Sequence, residues 1–345
     1  MENGVGFHES VRSPKTTCGF ANIINMCYLC AQIHKLLKMN TIGNIFRFTD
    51  FGESHGVAVG GVIDGCPAGI RIDMSAIRHD LDRRAGRISD FPVSQRAKAE
   101  PDEVEFLSGL LDGITLGTPI AFVIRNRDAR PEDYEALRNV FRPGHADSTY
   151  QAKYGIRDYR GGGRASARET AARVVAGAIA KQILQEKGIS INAEIVQVGD
   201  ALEKEQFGEV LQRVQQQGDS IGGVVECKIT GMPAGIGEPV FDKLPARLAY
   251  AVMSINACRG FDFGQGFQSA RMKGSVANLI SDGALGGISD GEALIFQCVF
   301  KPTPSIAKNV PGRHDVCIAL RTPPIVEAMA AITVVDLYFE YLARK

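Results

Sequence analysis

Apolar and polar positions in this 345-residue chain recur with two distinct periods. Alternating or continuous apolar runs at 56–64, 104–107, 119–125, 189–198, 222–229 and 293–301 predict strands. Between them, apolar residues return every three or four positions over 73–83, 132–140, 166–187, 203–217, 243–255 and 325–342, which predicts helices with one face against a core. A further strand pattern opens after Met39 and covers 41–48. No linker rich in Pro, Ser or charge divides these elements, so the pattern predicts a mixed α+β chain folded as one interlocked unit.

One stretch of the pattern occurs twice. Gly60-Gly61-Val62-Ile63 leads to Gly65-Cys66-Pro67-Ala68-Gly69-Ile70 and a helix, and Gly222-Gly223-Val224-Val225 leads to Gly231-Met232-Pro233-Ala234-Gly235-Ile236 and another helix. The echo predicts two related halves about a pseudo-twofold; turn chemistry arrived at independently is the alternative. Residues 1–38 stand apart. Their apolar run is broken by Asn22, Asn25, Gln32 and His34, which suits neither a secretory signal nor a membrane span. We therefore expect an N-terminal extension over 1–38 and one domain over 39–345, with an amphipathic helix over 23–37 as the competing expectation.

Composition narrows the function. The 39 basic and 39 acidic residues cancel, which argues against a nucleic-acid binder relying on a general basic field. The 8 cysteines show no disulfide framework, so reduced thiols in a cytoplasmic setting are expected. Cys27-x-x-Cys30 with His34 lacks a second pair at zinc-finger spacing, and no metal is expected.

The chemistry concentrates in Arg157-Asp158-Tyr159-Arg160-Gly161-Gly162-Gly163-Arg164-Ala165-Ser166-Ala167-Arg168-Glu169-Thr170. Ser166 and Glu169 form an S-x-x-E capping-box pattern, so a helix is expected to start at the glycines and present its free N–H groups to an anion. Four arginines with only Asp158 and Glu169 beside them repel one another unless an anion or other carboxylates intervene. The stretch is neither G-x-G-x-x-G nor GxxxxGK[ST], which disfavours a dinucleotide fold and a P-loop. His55, in Gly52-Glu53-Ser54-His55-Gly56, and His145, in Arg142-Pro143-Gly144-His145-Ala146-Asp147, sit in glycine-flanked turns suited to proton transfer. Gly312-Arg313-His314-Asp315 is a third polar knot.

GESHG, FRPGHAD, RDYRGGGRASARET, SINA, GGIS, KPT and GRHD occur here in the order found in chorismate synthases, and the chain from Met39 onward resembles that family. The resemblance implies an α+β fold, a β-α-β sandwich with an internal pseudo-repeat, assembled as a cytoplasmic homotetramer. It implies an anti-1,4-elimination of phosphate from 5-enolpyruvylshikimate 3-phosphate, the last step of the shikimate pathway, with reduced FMN required despite no net redox change. NADPH is a candidate reductant for that flavin. By resemblance, His55 is the proton donor to the leaving phosphate, His145 protonates or stabilises the reduced flavin, and Asp315 with Thr303 assists at the flavin N5. FMN contacts are implied for Arg164, Ala165, Ser166, Asn256, Ala257, Gly286, Lys301, Pro302, Thr303, Pro304, Ser305 and Arg313. A substrate with a phosphate and two carboxylates calls for guanidiniums, and Arg84, Arg87, Arg142, Arg160 and Arg168 are assigned to it or to NADP.

The chain departs from the family pattern at Ala85-Gly86-Arg87-Ile88-Ser89-Asp90, at Asp282 and Val316, and in short segments over 274–286 and 304–312. The rival reading is an FMN- or phosphate-binding protein whose turnover is impaired by those short loops. An RNA-binding module built on the arginine cluster is a second rival, short of interleaved aromatics. Deleting residues 1–38 is expected to leave the thermal midpoint, oligomeric state and anaerobic turnover unchanged, since every motif follows Met39. Unfolding on truncation would mean that 23–37 packs as a helix.

Overall fold

Along β7 (Ile120–Arg125) every second side chain, Ile120, Phe122 and Ile124, is fully buried, and the residues between are half-buried or exposed. That is the signature of an antiparallel sheet with one face against the core. The computed structural model describes residues 39–91, 100–306 and 315–345. Its first sheet joins β1 (Thr41–Ile42), β2 (Arg47–Phe51), β3 (Ala58–Asp64), β7 and β4 (Val104–Phe106) in that order, every pair antiparallel. The second runs β10 (Cys258–Phe263), β13 (Leu294–Phe300), β9 (Gly223–Thr230) and β8 (Ser190–Val198), again antiparallel. Two short hairpins lie outside the sheets, β5 (Leu110–Leu111) with β6 (Ile114–Thr115), and β11 (Ala284–Leu285) with β12 (Ile288–Ser289).

Between the sheets lie two helices. In α3 (Thr170–Gln185) nearly every side chain from Thr170 to Ala180 is buried, and α7 (Pro323–Ala343) is buried without interruption from Pro323 to Leu337. A helix apolar all round belongs in the interior. Helix α3 packs on β2, β3 and β7, α7 packs on β8 and β9, and the two helices pack on each other. The outer helices are α1 (Met74–Ala85), α2 (Asp147–Tyr154), α4 (Lys204–Gln216), α5 (Leu244–Met253) and the short α6 (Gly274–Ala277).

The repeat is real at the level of topology. Sheet order β2-β3-β7-β4 in the first half matches β8-β9-β13-β10 in the second. Each half continues from its second strand through a Pro-Ala-Gly turn into a helix, an edge strand, a hairpin, an inner strand and a central helix. The turns are closed by the same bonds. Thr115 Oγ1 donates to Pro67 O at 2.6 Å and accepts from Ile70 N at 2.9 Å, and Ser289 Oγ donates to Pro233 O at 2.7 Å and accepts from Ile236 N at 2.9 Å. A hydroxyl from the hairpin therefore holds each turn, and position matters more than Thr or Ser identity.

The pattern misplaced several boundaries. The predicted strand over 41–48 is two strands separated by a turn at Gly43, which adopts φ +93°. The helix expected over 132–140 is a 3-10 stretch, Pro131–Leu137. The helix expected from Ser166 starts at Thr170, because Gly163–Ala165 and Ala167–Glu169 form separate 3-10 turns. Ser166 does cap the second turn, accepting from Arg168 N, but Glu169 turns to Arg173 at 2.9 Å and closes no capping box. Helix α2 and strand β10 were not predicted, the first lying in a turn-like Gly-His-Ala-Asp setting and the second carrying polar Arg259 and Asp262.

The central helices meet closely at Gly177, where an added Cβ would stand 2.2 Å from Ala328 Cβ. Replacing Gly by Ala gains about 1 kcal/mol of helix propensity. Forced overpacking costs about 1–3 kcal/mol. Gly177→Ala is therefore expected to lower stability in a denaturant melt, and a stabilised variant would show that the helices can move apart.

Candidate active site

A cleft of about 1520 Å³ opens where the chain segments around β2, the glycine-rich loop and the C-terminal ends of β13 and α5 converge. It exceeds the roughly 300–1,000 Å³ of an ordinary small-molecule site, and so has room for two ligands side by side.

His55 and His145 both line it. His55 follows β2 in the Gly52–Gly56 loop and is 5% exposed. Its Nδ1 lies 3.1 Å from Ser54 Oγ, and its ring meets the edge of Tyr134 at 4.8 Å between centroids. Gly161 packs on the ring so closely that a Cβ there would fall 2.0 Å from Nδ1, and its φ of +63° is itself one that side chains disfavour. Part of the glycine run therefore exists to seat this imidazole.

His145 is held from both ring nitrogens. Nδ1 lies 3.0 Å from Pro143 O, and since a carbonyl only accepts, Nδ1 carries the proton. In the neutral ring Nε2 then accepts from Ser305 Oγ at 2.9 Å. Burial, with Arg142 and Lys301 nearby, holds the His145 pKa below its ordinary value, which favours this neutral form.

Of the residues assigned to flavin, Arg164, Ala165, Ser166, Asn256, Ala257, Lys301, Thr303, Pro304 and Ser305 line the cleft, as does Asp315, whose Oδ2 accepts from Arg321 Nη2 at 2.5 Å. Pro302 is exposed and outside it, and Gly286 is exposed at the tip of the β11–β12 hairpin. Arg313 lies outside the described residues, as do Cys27, Cys30 and His34. Among the described residues no group of His, Cys, Asp and Glu is placed to hold a metal ion, and no helix is long and apolar enough to cross a membrane.

The arginines assigned to substrate or NADP are spread more widely. Only Arg142 lines the cleft, paired through Nε and Nη2 with Asp147 at 2.9 Å each. Arg84 and Arg168 are buried together beside it. Arg84 donates to Thr170 Oγ1 at 3.0 Å and Ala167 O at 2.8 Å and lies 3.4 Å from Asp102, and burial pushes its guanidinium down to about 10. Arg168 pairs with the fully buried Asp102 and donates to Asn126 Oδ1 at 2.8 Å. Arg87 is taken up by Asp82 at 2.7 Å, and Arg160 by Asp158 at 2.8 Å. Acids from remote segments, Asp50, Asp102 and Asp147, thus relieve the repulsion that a local count of charges left open. The cations that do face the cleft include Arg157, Arg173, Arg259 and Arg321, of which the last three carried no sequence signal. Asp50, two positions beyond the strand predicted over 41–48, was not singled out.

Asn256 Oδ1, Thr303 Oγ1, Arg157 Nη1 and Arg321 Nε are buried with no hydrogen-bond partner among the described residues, and all four side chains line this cleft. An unpaired buried polar atom costs about 1–3 kcal/mol, so four at one place mark donors and acceptors kept for a ligand. Such a set, with both signs of polarity and adjacent cations, fits a polar heteroaromatic ring with a phosphate.

A family profile described as chorismate synthase matches residues 46–339. The chain is 47% identical to a chorismate synthase of Azobacteroides pseudotrichonymphae over 353 aligned positions, covering 87% of this chain and 99% of that protein. It is 46% identical to one of Phocaeicola vulgatus, covering 87% and 97%. The aligned positions outnumber the residues of this chain that they cover, so the relatives carry segments that this chain lacks. A solved structure titled as chorismate synthase superposes with a TM-score of 0.70 at 30% identity, covering 87% of this chain and 93% of that one. Since the matched span runs through both sheets, both central helices and both cleft histidines, the chain belongs to the chorismate synthase family.

Proposed function

We propose that this protein eliminates phosphate from 5-enolpyruvylshikimate 3-phosphate to give chorismate, with reduced FMN in the same cleft. The observation that carries the proposal is the convergence of His55 and His145, 90 positions apart in sequence, on one cleft large enough for two ligands. Reduced flavin, when bound, supplies electron density to the substrate and a base for the hydrogen it loses, with no net redox change.

The protein's own groups divide the remaining work. His55, fixed by Ser54, Tyr134 and Gly161, gives its proton to the departing phosphate, whose charge must be neutralised as the carbon–oxygen bond breaks. His145 rests neutral beside Arg142 and Lys301. An anion entering the cleft opposes those two cations and raises the His145 pKa, so the ring takes up a proton at Nε2 as the anionic ligand binds. Lys301 and Arg259 have no ion-pair partner among the described residues and supply uncommitted positive charge to phosphate and carboxylates, while Arg142, Arg157 and Arg164 each stand within 4 Å of an aspartate. Asn256 Oδ1 and Thr303 Oγ1 are the polar atoms left to orient the flavin ring, and Asp315 lines the same cleft. NADPH or an outside reductase keeps the flavin reduced, which NADPH oxidation with added FMN distinguishes. The homotetramer expected from the family is supported by exposed apolar side chains on both hairpin regions, Leu107, Leu111, Leu116 and Leu285.

The missing segments favour one second reading, a protein that binds flavin and phosphate without efficient turnover. Anaerobic assay with chemically reduced FMN separates the two. Under those conditions His55→Ala and His145→Ala are each expected to slow turnover about a hundredfold or more with little change in folding. Near-normal rates in either variant would remove that histidine from the mechanism.

The arginines should separate by role. Arg164→Ala is expected to weaken FMN affinity in a fluorescence titration, whereas Arg84→Ala is expected to cost about 3–5 kcal/mol of stability by exposing Asp102 to an incomplete set of partners. An Arg84→Ala protein with wild-type stability and impaired ligand affinity would return Arg84 to the binding site.

A further inference from the structure

Asp50 and Glu169 face each other on the wall of the cleft, at the end of β2 and in the last 3-10 turn before α3. Both are buried, 7% and 2% exposed. Two arginines flank them: Arg164 Nη2 stands 3.0 Å from Asp50 Oδ2, and Arg173 Nε stands 2.9 Å from Glu169 and 3.8 Å from Asp50. Yet Asp50 Oδ2 accepts no hydrogen bond, because Arg164 approaches it at ion-pair distance without the alignment of a donor. Arg164 Nη1 donates to Gly52 O at 2.9 Å and, more weakly, to the other Asp50 oxygen, Oδ1, at 3.3 Å, which leaves Oδ2 without a donor. A buried carboxylate oxygen without a donor beside a second buried carboxylate is the arrangement expected when one proton lies between the two acids.

We propose that Asp50 and Glu169 share one proton, and that this proton sets the charge of the cleft wall and keeps Arg164 available to an anionic ligand. Asp50 is thus a positioning residue acting through Arg164. The role rests on the reading of the cleft as an FMN and phosphate site. With the proton held, two guanidiniums face a single negative charge and the cluster is net positive. Once it leaves, the cluster is neutral, Arg164 is drawn fully onto Asp50, and attraction for a phosphate falls.

The other charged groups facing this cluster, Glu53 with one negative charge and Arg84 of α1 with one positive charge, contribute equally in both states and leave the one-unit change on proton loss intact. Tyr150 of α2 and Glu53 of the Gly52–Gly56 loop lie near Arg164, and Tyr150 is held above the ordinary phenol range by burial and so stays neutral. Burial, and then Glu169, push the Asp50 carboxyl up to about 8, with Arg164 opposing. The acid form therefore prevails at pH 7 and the carboxylate above about pH 9. A phosphate monoester has its second pKa near about 6, so an FMN phosphate stays dianionic across that range.

The test is a fluorescence titration of oxidised FMN into the full chain from about pH 6.5 to 9.5. Wild-type affinity is expected to fall about tenfold through pH 8, within the limit of tenfold per pH unit for one proton. Asp50→Asn should lack this step and bind at high pH about as tightly as wild type does at pH 7. Glu169→Gln, which removes the neighbouring charge, should move the step to lower pH. Equal slopes in wild type and Asp50→Asn, or a flat wild-type profile, overturn the proposal. Difference infrared spectroscopy of the unliganded chain tests the proton directly: a carboxylic-acid carbonyl band present at pH 7, titrating near pH 8 and missing from Asp50→Asn, is expected, and its absence from the wild type overturns the shared proton. Failure of FMN to bind at any pH sinks the flavin reading, and the infrared band still decides the pair.

Discussion

Helix α7 is buried on every side for fifteen consecutive residues, yet it carries Glu327 and Asp336 within that stretch. An uncompensated buried carboxylate costs several kcal/mol, so the surrounding elements must converge on these two. They do so from both halves of the molecule. Glu327 receives Arg83 of α1 at 2.7 Å through both terminal guanidinium nitrogens, Lys181 of α3 at 2.9 Å and Ala193 N of β8 at 2.9 Å. Asp336 accepts the backbone N–H groups of Asn44, Ile45 and Phe46 ahead of β2, together with Arg247 of α5 at 2.6 Å. Each acid thus links elements of both halves to one helix. Burial acts to raise the Glu327 pKa, but Arg83 and Lys181 outweigh it and hold the carboxyl below its usual range. That pairing stabilises the fold above the ordinary glutamate pKa and is lost as the pH falls through the depressed one.

The same logic explains how far the fold was legible in the sequence. Inner strands such as β7 and β13 were readable because burial on one face writes itself as alternation, in Ile120, Phe122 and Ile124 or in Leu294, Phe296, Cys298 and Phe300. The central helices were readable by their length and apolar content. What could not be read is pairing between distant charges. Arg168 looks like one more member of a basic cluster until Asp102, 66 positions away, is placed against it, and Arg164 likewise until Asp50 arrives from β2. A spacing rule has no access to those partners, so it cannot tell which guanidiniums are already paired with carboxylates within the fold. The histidines were found because each sits in a polar turn with glycine close by, Gly52 and Gly56 around His55 and Gly144 before His145. Gly161, which seats His55, was read as phosphate-binding because glycine means close approach without saying to what.

Function enters where the two halves stop matching. The connection from β2 to β3 is the short loop that carries His55, whereas the corresponding connection from β8 to β9 contains α4. Before α3 and α7 the halves agree again, with 3-10 turns at Ala167–Glu169 and Ile318–Arg321 followed by threonines that bond back to Ala167 and Ala319. The side chains on those two turns differ in charge: Glu169 stands in the place that Arg321 takes in the other half, one residue before the threonine. Both reach the same cleft. The pseudo-twofold therefore delivers an acid and a base to one site from equivalent positions, and each recruits a counterion of opposite sign, Arg173 for Glu169 and Asp315 for Arg321. A duplicated scaffold that diverges in one loop and in the charge of a matched turn thus becomes a single asymmetric site, and His55, Glu169 and Arg321 stand at those divergent positions.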